Sequence, residues 1–245
     1  MSRIRSTFEI GTEVSTPMKY LGSNIEQDEA HNIMFSQTDY IKEVKPAELK
    51  FSSDKVRILS QEEQYNFRVI CGQLNWIASQ SRPDIAFDVC QLSTKLNSAT
   101  VRDLMQANKV LKKAKNPIIL KFGKLQPPIH LLAYCDASYG NLPDGSSQGG
   151  YIIFLADERG SVSPICWSSR KLRRVCRSTV AAETMAMLDA IDACIWLSHI
   201  ISEVADCDMG SIKVKTDNMS LYESVHSTTA NEEKRLRVEI TSIRE

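Results

Sequence analysis

Apolar residues along this chain fall into two textures. Residues alternate from Met18 to Ile25 and again from Ile33 to Phe35, which predicts a hairpin with Asp28 to Asn32 as its polar turn. After a polar link through Pro46 and Lys55 the spacing changes to three and four. Phe67, Ile70, Cys71, Leu74 and Ile77 then share one face of a helix predicted from Gln61 to about Ala78. Ser81-Arg82-Pro83-Asp84 interrupts it, because proline disfavours helical geometry in the residue before it and suits a first turn. A second helix is predicted from Pro83 to Leu96 and a third from Arg102 to Lys115.

From Ile129, past Pro127-Pro128, the pattern is that of a compact α/β unit. Leu131 to Ala137, Gly149 to Leu155 and Pro164 to Ser168 read as three strands of an antiparallel meander, with a loop rich in glycine and serine from Gly140 to Gly150. Ser178 to Val204 reads as a long helix and Ile212 to Thr216 as a fourth strand. Met219 to Val225 and Glu232 to Glu245 read as two further helices. No repeat and no low-complexity tract is present.

Composition narrows the class. The chain has 245 residues, 42% hydrophobic and 24% charged, which suits one large or two small globular domains. Thirty lysines and arginines balance thirty aspartates and glutamates. Total charge therefore gives no sign of a nucleic-acid partner, and one must be sought in local clusters. The seven cysteines form no C-x-x-C pair and read as reduced thiols. Met1-Ser2-Arg3-Ile4-Arg5 lacks a signal-peptide apolar run, and no segment approaches the uninterrupted apolar length that spans a bilayer. A cytosolic or nuclear chain without a membrane partner is expected.

Three acidic residues stand out. Asp136 follows an apolar strand and Asp217 ends another. On the long helix, Val180, Met187, Leu188, Ile191, Cys194 and Ile195 form an apolar stripe, with Asp189, Asp192 and Glu203 opposite. Glu183 lies along the edge of that stripe, where a carboxylate needs a partner or a metal. Asp217 also suits a helix cap. The order strand-Asp, helix-Glu, strand-Asp is nevertheless how an α/β fold gathers carboxylates around divalent metal. Two basic clusters, Lys109 to Lys124 and Arg170, Lys171, Arg173, Arg174 and Arg177, suit either phosphate contact or ordinary solvated surface. The four histidines show no metal-ligand spacing. No Gly-x-Ser-x-Gly elbow or P-loop is present, and His226 reads as a surface residue.

Short motifs, in order, carry a resemblance. Tyr20-Leu21-Gly22, Phe35-Ser36-Gln37 and Tyr40-Ile41 come first, followed by Gly72-Gln73-Leu74, Ser81-Arg82-Pro83-Asp84-Ile85-Ala86 and Gln91-Leu92-Ser93. Cys135-Asp136-Ala137-Ser138, Gly150-Tyr151-Ile152-Ile153-Phe154, Trp167-Ser168-Ser169-Arg170-Lys171, Ala181-Ala182-Glu183, Thr216-Asp217-Asn218 and Ser242-Ile243-Arg244-Glu245 complete the series. Together they resemble the reverse transcriptase and ribonuclease H region of Ty1/copia-type retrotransposon Pol polyproteins.

The resemblance implies an α/β fold. Residues 1–126 are expected to be the end of a reverse transcriptase, a hairpin plus helices of thumb and connection type. Residues 127–245 are expected to be a ribonuclease H-like mixed sheet with flanking helices. It further implies cleavage of the RNA strand of an RNA–DNA hybrid with two magnesium ions, manganese substituting. Asp136 would bridge both ions, Glu183 would ligate one and position the phosphate, and Asp217 would stand near the attacking water. The arginine run would contact phosphate, and the rest of the Pol polyprotein would be a partner.

Two departures bear on activity. The family's polymerase site carries Tyr-x-Asp-Asp, and no Asp-Asp pair occurs here, so DNA synthesis is not expected. The family's core continues beyond Ile-Arg-Glu into another strand and a segment with a fourth acidic residue, whereas this chain stops at Glu245. Three of four carboxylates are thus expected, and Glu239 reads as solvent-facing rather than as a substitute. The alternatives to a hybrid-cleaving nuclease are a non-catalytic nucleic-acid-binding remnant and an inactive relic.

Overall fold

The computed structural model describes residues 6, 9, 11, 13–49, 54–205, 209–227 and 234–244. Readings that fall on Met1 to Arg5, Cys207, Glu232 and Glu245 lie outside them. The described residues form two four-stranded sheets, each with helices and its own core.

The first sheet departs from the expected hairpin. Its Met18 to Ile25 strand is split into β1 (Met18–Tyr20) and β2 (Ser23–Gln27), because Leu21 and Gly22 both take positive φ, 48° and 77°. Two residues in the left-handed region make a tight turn, and glycine meets that need at no steric cost. The turn from Asp28 to Asn32 forms as expected, with the Asp28 carboxylate accepting from the Asn32 backbone and side chain at 2.8 and 2.7 Å. It leads to β3 (Ile33–Ser36), whose other edge is filled by β4 (Leu120–Phe122), so the hairpin is an antiparallel four-stranded sheet. Lys121 lies on β4, and Lys124 lies beyond it.

A short helix that the pattern does not announce, α1 (Thr38–Glu43), follows β3. The main helix α2 (Gln61–Gln80) starts at a capping box. Ser60 Oγ accepts from the Glu63 N–H at 3.3 Å, and the Ser60 N–H returns a bond to Glu63 Oε2 at 2.9 Å. Its predicted face is buried throughout.

Next come a 3-10 turn (Pro83–Ile85), α3 (Ala86–Ser93) and α4 (Val101–Ala114). Arg82 ties them together from a fully buried position. Its guanidinium pairs with both Asp84 oxygens at 2.7 and 2.9 Å. It also donates to the carbonyls of Lys113 at 3.1 Å, Asn116 at 2.8 Å and Ala114. Helix ends leave carbonyls without partners, and a buried cation needs paired acceptors, so each group answers the other.

The second sheet has the order β7-β6-β5-β8. Strands β5 (Ile129–Ser138), β6 (Gln148–Asp157) and β7 (Val162–Lys171) form the expected meander, each longer than its apolar stretch. The fourth strand, β8 (Ile212–Lys215), pairs parallel to β5, which makes the sheet mixed. Helix α5 (Thr179–Ala205) crosses between β7 and β8, and α6 (Met219–His226) and α7 (Lys234–Arg244) follow.

The buried line on α5 differs from the expected stripe. It runs through Ala182, Glu183, Ala186, Met187, Ala190 and Cys194, while Ile195 is 44% exposed. Small residues let the helix axis come close to the sheet. A Cβ on Gly149 of β6 would stand 2.8 Å from Leu172 Cδ2 and 3.2 Å from Ala186 Cβ. By length and composition α5 also holds an 18-residue stretch apolar enough to cross a membrane, with a mean hydropathy of 1.4, although acidic residues interrupt the helix. Here one face of it packs on the sheet and carries a carboxylate.

The halves meet along α3 and β7. Trp167 Nε1 donates to the Ala78 carbonyl at 2.8 Å. Gln91 Nε2 donates to Gln148 Oε1 at 2.6 Å, and Gln148 Nε2 to Ser169 Oγ at 2.8 Å.

Candidate metal centre

Asp136 sits near the C-terminal end of β5, two positions past the last β8 pair, Tyr134 with Lys215. Beyond Lys215 no strand among the described residues flanks β5 on that side, and the chain from β8 leads on to Asp217. Asn218, not Asp217, caps α6, accepting from the Leu221 N–H at 2.9 Å. Asp217 is thereby left out of the cap. Glu183 enters from the first turns of α5, on the buried line.

These elements converge. One carboxylate oxygen from each of Asp136, Glu183 and Asp217 lies within 4.8 Å of the others. Asp136 and Asp217 are exposed, and Glu183 is 4% exposed. Burial, and then the charges of Asp136 and Asp217, push the Glu183 carboxyl up to about 7, offset in part by the Ala137 backbone and the Asn218 side chain. Among the described residues its Oε2 has no hydrogen-bond partner. A buried acceptor left open costs free energy unless something fills it. Three convergent carboxylates, one with a buried oxygen left without a partner, fit a hard divalent cation, which takes oxygen ligands.

The basic run is distributed differently. Arg170 and Lys171 belong to the end of β7 rather than to a loop. Arg170 pairs with Asp189 at 2.5 Å, Lys171 with Asp144, and Arg174 with Glu239. Arg173 and Arg177 are exposed. Glu239, read as solvent-facing, is only 16% exposed at its side chain and serves Arg174. His226 is exposed and stacks on Tyr222, with ring centroids 4.1 Å apart. Sequence reasoning missed Lys215, whose ammonium stands 5.6 Å from the Tyr134 ring centroid. Its signal was available: it lies two residues before Asp217, as Tyr134 lies two before Asp136.

No protein-family model matches the chain. It is 31% identical over 173 residues to a transposon Ty5-1 protein of Saccharomyces cerevisiae, covering 64% of this chain and 54% of that protein. It is 31% identical over 143 residues to the retrovirus-related Pol polyprotein from transposon RE1 of Arabidopsis thaliana, covering 56% of this chain and 9% of that one. A transposon Ty1-DR1 Gag-Pol polyprotein of S. cerevisiae is 39% identical over 111 residues, covering 44% of this chain and 6% of the polyprotein. The chain thus spans about half the length of the first of these relatives and under a tenth of the others. Among solved structures, a foamy viral protease-reverse transcriptase in complex with RNA/DNA hybrid is similar at a TM-score of 0.46 and 14% identity. That match covers 93% of this chain and 28% of the other, and is too slight to speak for its chemistry.

Proposed function

We propose that this chain, whose homologues are retrotransposon Pol polyproteins, is a Pol segment. In this reading residues 127–245 form a ribonuclease H-like nuclease acting on the RNA strand of RNA–DNA hybrids. Residues 1–126 correspond to the end of the reverse transcriptase.

The observation that carries this is the convergence of the Asp136, Glu183 and Asp217 carboxylates, with one buried Glu183 oxygen that has no hydrogen-bond partner among the described residues. Magnesium or manganese bound there would lower the pKa of a water and neutralise charge on phosphate. The chain's own residues divide the remaining work. Asp136 and Asp217, both exposed, stand where a phosphodiester can reach them. Glu183 is held by the α5–sheet packing, so its oxygen keeps its position without a cost at the moment of reaction. Recognition of a hybrid would rest on groove shape and 2′-hydroxyls rather than on base sequence.

The test is cleavage of a labelled RNA–DNA hybrid in magnesium and in manganese, beside Asp136→Asn. Cleavage by the parent and background levels in the variant are expected. A folded parent that leaves the hybrid intact in both metals overturns the nuclease reading.

A further inference from the structure

On the sheet face opposite α5 the two halves of the chain enclose an open groove of about 520 Å³. Both halves line it, Phe87 from α3, Tyr134 and Asp136 from β5, and Trp167 and Ser169 from β7. Phe87 is 49% exposed and Tyr134 43%. Two large rings therefore face solvent across a groove that runs up to a carboxylate of the candidate metal centre.

The aromatic walls are held in place. Trp167 is fixed by its hydrogen bond to Ala78. Tyr134 is fixed by an edge contact with Phe154, centroids 6.2 Å apart at 88°. Lys215, on the neighbouring strand and outside the groove's own lining, stands beside Tyr134 with no carboxylate partner among the described residues, whereas Arg170, Lys171 and Arg174 are each tied to one.

A preset aromatic wall, continuity with the metal centre and an ammonium on the strand beside the groove together suit one nucleotide. Its base stacks on the rings and its phosphate meets the cation. Inside a duplex both faces of a base are covered by its neighbours, so only an unpaired base can enter. We propose that the groove binds an unpaired nucleotide next to the Asp136 site, so that the chain prefers hybrids with a single-stranded overhang to blunt ones. This rests on the nucleic-acid reading above and adds the first half of the chain to the substrate site.

Binding of the whole chain to a blunt hybrid and to the same hybrid with a short RNA overhang, compared without divalent metal, tests it. The overhang should bind roughly ten-fold tighter. Phe87→Ala should remove that difference and leave blunt affinity unchanged. Lys215→Gln should reduce the salt slope of overhang binding by about 1. Equal affinity for both hybrids, a preference that survives Phe87→Ala and Tyr134→Ala, or no binding of nucleic acid overturns the proposal. No cleavage in magnesium with the overhang preference intact would sink the nuclease reading and leave the groove standing. Cleavage without any preference would do the reverse.

Discussion

At the scale of single residues, Glu183 shows how chemistry and folding pull apart. A free glutamate titrates near 4.5, and this one is raised to about 7 by burial and then by its two acidic neighbours. Between those values the folded chain holds a proton that the unfolded chain has lost. Stability of the metal-free protein should therefore fall as pH rises through that window, by roughly 3 kcal/mol in all. Glu183→Gln should flatten the decline, and at pH 8 magnesium should stabilise the parent more than the variant. Denaturant titrations at pH 5 and pH 8 check this, and a parallel decline in the variant would refute it. Glu183 was legible because a charge on an apolar helix edge is conspicuous. The division of labour between Asp217 and Asn218 was not, since either side chain caps a helix well. Arg82 was hidden for a different reason, since beyond Asp84 its partners are backbone carbonyls some thirty residues away, which side-chain patterns do not record.

Elements were legible in kind and less so in extent. Alternation and three-four spacing located the long helices and the meander, because one face of each is buried and the other wet. What escaped was contact that depends on distance or on small size. Strand β4 joins β3 across more than eighty residues. The close seat of α5 depends on alanines and on Gly149, which carry little hydrophobic signal. Gly149→Val should destabilise the fold by about 1–3 kcal/mol, because the alanine it meets is attached directly to the helix backbone and cannot swing away. Thermal or denaturant unfolding measures it, and an unchanged midpoint would mean that α5 tolerates a wider spacing.

For the molecule as a whole, two cores are joined through a few polar bonds rather than a shared apolar interior. Trp167 with Ala78, and Gln91 with Gln148, are side-chain hydrogen bonds between α2 or α3 and the second sheet, and the Cys90 thiol adds a contact to the Lys171 backbone. Removing both with Trp167→Phe and Gln91→Ala should separate unfolding into two transitions where the parent shows one, and a single unaltered transition would show that other contacts couple the halves. The order of motifs along the chain was readable, but the groove between the halves was not, since Phe87 and Tyr134 look like ordinary surface aromatics until the fold sets them on one rim. The same fold checks its own assembly. Strand β8 offers only four residues, with Ile212 and Val214 alternating with Lys213 and Lys215. A slip of one residue against β5 would turn both apolar side chains to the wrong face and displace Asp217 by one strand rise. With only two apolar side chains to object, packing alone penalises the slip less than in a longer strand; here it is caught a second time by the loss of a ligand, so that an ion in the centre would act as a proofreader of strand alignment.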